Sequence, residues 1–150
     1  MNGTCDVTRP TRRIPLTTDF FLVRTGDVLP VVTLNVTRED ALRYLAATGE
    51  DDAHWPGIVP PLALGALALA ALTDEMPLPK GVFHSSQEFD FLEAVPFDAT
   101  LDLSIAVERR AERGGTVYTT VGLDLRHEDR TVCTGHATVV LPARVPAVSP

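Results

Sequence analysis

The stretch Pro60-Pro61-Leu62-Ala63-Leu64-Gly65-Ala66-Leu67-Ala68-Leu69-Ala70-Ala71-Leu72 decides the fold of this chain. It is leucine and alanine almost throughout, strong helix formers with no charge among them. Pro60 and Pro61 suit a helix start, because first-turn amides lack an intrahelical acceptor and a missing N–H costs nothing there. The apolar run from Ile58 to Leu72 holds 15 residues, short of the roughly 20 needed to span a bilayer. A helix apolar all round must be covered on every side, so it belongs at the centre of a wrapping structure.

The residues that follow supply the wrapping. Phe83 to Phe91, Thr100 to Arg109, Thr116 to Arg126 and Thr131 to Leu141 read as strands. The period of two is plain in Leu101, Leu103, Ile105 and Val107, and again in Val117, Thr119, Val121, Leu123 and Leu125. Glu112-Arg113-Gly114-Gly115 and Glu128-Asp129 are the hairpin connections. Four antiparallel strands after one apolar helix have an economical solution: an α+β domain whose sheet curls around the helix. Such a sheet ends in an open edge, and pairing two domains edge to edge closes it, so a dimer is expected.

Ahead of the helix, Phe20 to Val23 reads as a β-like lead-in, Gly26-Asp27 as a turn and Val31 to Val36 as a strand. Thr37 and Asp40 have capping-box spacing for a helix over the next residues, and Gly49 is placed to end it. The domain is expected over residues 14–142. The polar or proline-rich segments 1–13 and 143–150 are expected to be poorly ordered.

The 150-residue chain has a formal net charge of −7, with twelve arginines and one lysine, Lys80. A surface this acidic repels nucleic acid and anionic membranes, so neither is expected as a partner. Coenzyme A and acyl-carrier proteins are acidic too, so a site for either needs a local arginine cluster. Cys5 and Cys133 lack CxxC spacing and no secretory signal is evident, which points to a reducing cytoplasm.

The order of the pieces resembles a known family. Gly26-Asp27-Val28-Leu29-Pro30, Val36-Thr37-Arg38-Glu39-Asp40 and Tyr44-Leu45-Ala46-Ala47-Thr48-Gly49 look like the opening of MaoC-like dehydratase domains. His84 to Phe91, Pro96 to Leu101 and Gly135-His136-Ala137-Thr138 resemble the strands that follow. The match covers about Gly26 to Leu141 and is closer to the family's N-terminal-half type than to its enoyl hydratases. The resemblance implies a hotdog fold and a hydro-lyase acting on a β-hydroxyacyl or enoyl thioester of coenzyme A or a carrier protein, in fatty-acid or polyketide-like metabolism. In the enoyl hydratases a G-D-x-N-P-x-H loop supplies an Asp/His pair that brackets a water, and a backbone amide at the helix start polarises the thioester carbonyl. Here the loop reads Gly49-Glu50-Asp51-Asp52-Ala53-His54-Trp55. Glu50 stands at the aspartate position, Trp55 at the histidine position, and His54 one residue early. Proline occupies the helix start, where the amide donor belongs.

The candidate catalytic residues are therefore His54, with Asp51 or Glu50, helped by His84. Trp55, Gly57, Ile58 and Gln87 are candidate substrate contacts, in a pocket between the loop Glu50–Gly57 and the strand beginning at His84. An imidazole suits proton transfer, which makes His54 a candidate; its other reading is a solvated loop histidine beside acidic neighbours. His84 faces either the pocket or a strand edge. His136 reads as structural and His127 as exposed. Arg109, Arg110 and Arg113 either bind a phosphate or decorate a solvated turn. Cys133 reads as a small core residue and not as a nucleophile. Glu50-Asp51-Asp52 lacks a patterned histidine, so no metal is expected. No P-loop, dinucleotide fingerprint or G-x-S-x-G elbow is present, so no cofactor is expected either. Two other readings stay open: a non-catalytic subunit that shapes the acyl tunnel for a partner hotdog chain, and a cyclase or thioesterase using the same cavity.

Overall fold

The computed structural model describes residues 11–142. Its elements in chain order are β1 (Arg12–Arg13), β2 (Asp27–Val28), β3 (Val32–Val36), α1 (Arg38–Thr48), α2 (Pro61–Glu75), β4 (Phe83–Phe91), β5 (Ala99–Arg113), β6 (Thr116–His127) and β7 (Arg130–Pro142). The seven strands form one curved sheet in the order β1-β2-β5-β6-β7-β4, with β3 also paired to β5. Every pairing is antiparallel except the two-residue one between β1 and β2.

Local chemistry explains the boundaries. The Thr37 hydroxyl accepts the Asp40 amide at 3.1 Å while the Asp40 carboxylate accepts the Thr37 amide at 3.4 Å, closing the capping box of α1. Gly49 ends that helix with φ 73°, the left-handed conformation glycine adopts at little cost. Pro61 is the first residue of α2, and the Met76 amide bonds back to the Leu72 carbonyl at 3.0 Å where the helix stops. The β5–β6 hairpin turns on Gly114 and Gly115, both at positive φ.

One face of the sheet meets the helix. Leu101, Leu103, Ile105 and Val107 of β5, Val121, Leu123 and Leu125 of β6, and Cys133, Ala137 and Leu141 of β7 are buried there with Ala63, Leu64, Ala68 and Leu72 of α2. Each large side chain so buried contributes roughly 1.5–3 kcal/mol. Phe89 of β4 fits because two glycines make room: its ring lies against Gly65 of α2 and Gly135 of β7, where any Cβ would collide with it.

Three expectations need correcting. Phe20–Leu22 is a 3-10 turn and not a strand, because the Asp19 carboxylate accepts the Phe21 amide at 3.0 Å and caps the turn; Phe20 is 1% exposed. The helix is not covered on every side: Leu62 is 58% exposed, and Ala66 and Ala70 on the same stripe are exposed too. The sheet ends at β4 and leaves that stripe bare. Arg12 and Arg13 already pair with Asp27 and Val28, so ordered structure begins before residue 14. The rest of the expected tails, 1–10 and 143–150, lies outside the described residues.

Among the described residues, strand β4 pairs on one side only, with β7. From Phe83 to Glu88 every residue is exposed, and Phe83 is 65% exposed. A nine-residue strand therefore presents an unpaired row of backbone donors and acceptors beside the bare stripe of α2.

Candidate functional site

The loop between α1 and α2 is built by its own polar side chains. Asp51 caps a short turn, Asp52–His54, by accepting the Ala53 amide at 2.9 Å. That amide holds the exposed Asp51 carboxyl below the ordinary carboxylate range, slight desolvation opposing it, with Asp52 and His54 adding to the lowering. Glu50 accepts the Trp55 indole N–H at 3.1 Å. Gly57, at φ 71°, turns the chain toward α2 and its carbonyl accepts the Phe97 amide at 3.3 Å; Val59 donates to the Val95 carbonyl at 2.8 Å. Ile58 and Pro96 form a bridge, so the loop is laid along the segment that leaves β4.

A cleft of about 230 Å³ opens there, at the N-terminal end of α2. Trp55, Ile58, Val59 and Leu64 line it from the loop and helix, and Phe91 and Leu92 from the end of β4. Of the expected contacts, Trp55 and Ile58 are in its wall, and Gly57 lies between them in the chain. His54 and Asp51 sit on the exposed turn one and four residues before Trp55.

His84 and Gln87 are elsewhere. Both pair with inward-facing residues of β7 (Val139 and Ala137), but the loop meets the opposite end of β4, at Phe91. Seven residues separate His84 from Phe91, roughly 20 Å along an extended strand. Within one chain the expected pocket between the loop and His84 does not form. The walls from Val59, Leu64, Phe91 and Leu92 were missed. Their signal was Phe91 continuing the inward alternation of Phe89, with which it stacks at 5.9 Å.

Backbone donors at the mouth are few. Pro60 and Pro61 have no N–H, the Val59 amide is committed, and the Ile58 amide reaches the Trp55 carbonyl at 3.4 Å. The Gly57 and Leu62 amides make no hydrogen bond among the described residues. Elsewhere, His136 pairs with Glu108 at 2.7 Å on the outer face, and His127 is mostly covered, with 16% side-chain exposure, against the expectation that it is exposed. Cys133 is buried, and desolvation, with Asp90 and Asp124 adding, pushes its thiol up to about 11. Among the described residues no group of three His, Cys, Asp or Glu side chains could hold a metal ion, and no helix is long and apolar enough to cross a membrane.

No protein-family model and no curated protein matches the sequence. Solved structures do match. The R-hydratase PhaJ1 of Pseudomonas aeruginosa aligns with a TM-score of 0.66 over 85% of this chain and 91% of its own, at 17% identity. The MaoC-like dehydratase from Rhodospirillum rubrum gives 0.66 over 82% and 95%, at 16% identity. This chain has the hotdog fold. The same hotdog arrangement matches the C-terminally truncated HadBC (3R-hydroxyacyl-ACP dehydratase) complex of Mycobacterium tuberculosis, with a TM-score of 0.62 over 75% and 95% at 17% identity.

Proposed function

We propose that this protein is a dehydratase or hydratase-type lyase that acts on a β-hydroxyacyl or enoyl thioester of the fatty-acid or polyketide kind. The observation that carries the reading is the mainly apolar cleft at the start of α2, lined by Trp55 just after the turn that bears His54 and the Asp51 carboxyl, with the Gly57 and Leu62 amides, chain neighbours of the lining residues Ile58 and Pro61, making no hydrogen bond among the described residues. An acyl chain occupies the cleft against Trp55, Ile58 and Phe91. In dehydration a base takes a proton from the α carbon, and an acid gives one to the β-hydroxyl, which leaves as water. His54 is the proton-transfer group and Asp51 the carboxylate beside it. Glu50, tied to the Trp55 indole, positions the cleft wall. The Gly57 and Leu62 amides take the place of the donor that the prolines remove, stabilising charge on the thioester oxygen.

The working form is a two-chain assembly joined through β4. Its open edge and the bare stripe of α2 are adjacent surfaces that a second hotdog chain covers together. The charges favour a second copy running antiparallel. Lys80 lies just ahead of the strand and Glu88 and Asp90 toward its end, so in the antiparallel pair each end meets its opposite. In that arrangement the partner's His84 comes toward the end of β4 that borders the cleft.

A second reading is supported by the same loop. Glu50 is engaged by Trp55, and the proline pair removes two donors, as expected of a chain that shapes an acyl tunnel for a catalytic partner. One assay separates the two readings: turnover of a β-hydroxyacyl thioester by the purified protein and by His54→Ala. The lyase reading expects turnover that falls by about 10²–10⁴ in the variant. No turnover without an added partner chain supports the subunit reading, and full activity in His54→Ala removes His54 from the chemistry.

A further inference from the structure

The far end of β5 holds a second polar site. A bulge between Val107 and Arg109 shifts the register there, so that Arg110 lies opposite Thr119 on the helix-facing side of the sheet. Arg109 turns instead to the outer face, with Arg113, Tyr118 and Thr120. Arg110 is held in place by neighbours: its amide donates to the Thr25 hydroxyl at 3.0 Å and its guanidinium to the Phe21 carbonyl at 3.3 Å. Even so, its Nε and the hydroxyl of fully buried Thr119, opposite it on the ladder, are buried with no hydrogen-bond partner among the described residues, which is uncommon in a folded protein.

Arg110 opens onto a cavity of about 550 Å³ that Arg12, Arg13, Arg24, Phe21 and Leu22 also line. Arg12 is spent. It grips the buried Asp27 with two bonds, of 2.7 and 2.5 Å, and Asp27 also accepts the Arg24 amide at 2.7 Å. Arg13, Arg24 and Arg110 form no ion pair among the described residues. Arg13, Arg24 and Arg110 thus gather around one cavity, in a chain of net charge −7, with Asp27 (already gripped by Arg12) as the acidic group whose charge Arg24 feels. Their mutual repulsion is relieved by an anion, and planar forks of N–H donors match phosphate oxygens.

We propose that this cavity is a phosphate-binding site. Phosphate oxygens take N–H bonds from Arg110, Arg24 and Arg13, and any apolar portion of the ligand rests on Phe21 and Leu22. The site is separate from the cleft. Ten residues of β5 lie between Ala99, near the Gly57 contact, and Arg110, roughly 30 Å of strand. Failure here therefore leaves the proposed lyase chemistry untouched.

Calorimetric titration of the whole protein with inorganic pyrophosphate and with coenzyme A tests the proposal and separates its two ligand sources. We expect saturable binding with a Kd of about 1 mM or tighter, weakened about tenfold by Arg24→Gln and by Arg13→Gln, with thermal stability unchanged because both residues are exposed. Coenzyme A binding much tighter than pyrophosphate identifies an organic phosphate, whereas equal affinities identify the free anion. Arg110→Lys, which keeps the charge and removes the fork, loses affinity as well. The proposal is overturned if neither anion binds, if the Arg13 and Arg24 variants bind as tightly as the unaltered protein, or if polyglutamate displaces both anions equally well.

Discussion

Replacing Gly65 by alanine sets two effects against each other. In the middle of a helix the change gains about 0.5–1 kcal/mol from backbone entropy and propensity alone. In this structure, however, the new Cβ would lie 2.8 to 3.2 Å from three ring atoms of Phe89. The ring has little room to retreat, because its other edge already fills the place where a Gly135 side chain would sit. Overpacking of this kind costs about 1–3 kcal/mol, so packing wins by about 1 kcal/mol. For a chain of this size that lowers Tm by about 2–4 °C, measured by circular dichroism or calorimetry. Adding Phe89→Leu to Gly65→Ala should recover part of the loss, a coupling expected only of residues in contact. A Gly65→Ala protein that melts at or above the unaltered one would refute the packing of β4 on α2.

Three further outcomes follow from particular groups. His84→Glu places like charges against Glu88 and Asp90 of a second antiparallel β4, so light scattering should show the dimer giving way to monomer while the far-ultraviolet spectrum stays unchanged. The Arg12 side chain, with smaller help from the Arg24 amide and opposed by burial, holds the Asp27 carboxyl below its ordinary 3.8. Its stabilisation is therefore complete above that value and lost as pH falls through the lowered folded value. Asp27→Asn should flatten the acid limb of the stability curve and cost about 1–3 kcal/mol at neutral pH, less than for a fully buried pair because Arg12 is partly exposed. In a Cys5→Ser background the native protein should not react with a thiol reagent at pH 8 and should react on unfolding, since Cys133 is buried with its thiol pushed up to about 11.

Much of the fold was legible because it rests on local pattern. The Thr37–Asp40 box, the Gly49 stop and the period-two runs of β5 and β6 are written in short windows of sequence, and β4 spans Phe83 to Phe91 as expected. The misses lie where a local pattern meets a long-range partner. Phe20 to Val23 looks like a strand until the Asp19 carboxylate caps it into a turn. Leu62 and Ala66 carry the apolar signal of buried residues, yet no element among the described residues covers them. The β5 alternation gives no warning of the bulge after Val107, so the arginines near the hairpin read as one cluster when the register divides them between two faces. The loop residues of the candidate site were found from their position before α2. The alternation of Phe89 and Phe91 marks Phe91 as inward-facing, but that it and Leu92 wall this loop depends on where β4 ends, a long-range relation.

For the acyl thioester proposed to occupy the cleft at the start of α2, the chain carries its own reporter. Trp55 is the only tryptophan and lines the cleft. Titration with a non-reactive acyl-pantetheine thioether, followed by tryptophan emission, should give a saturable change that Ile58→Asp abolishes. Emission that stays flat while calorimetry registers binding of the same ligand would put the acyl chain somewhere else and contradict the account.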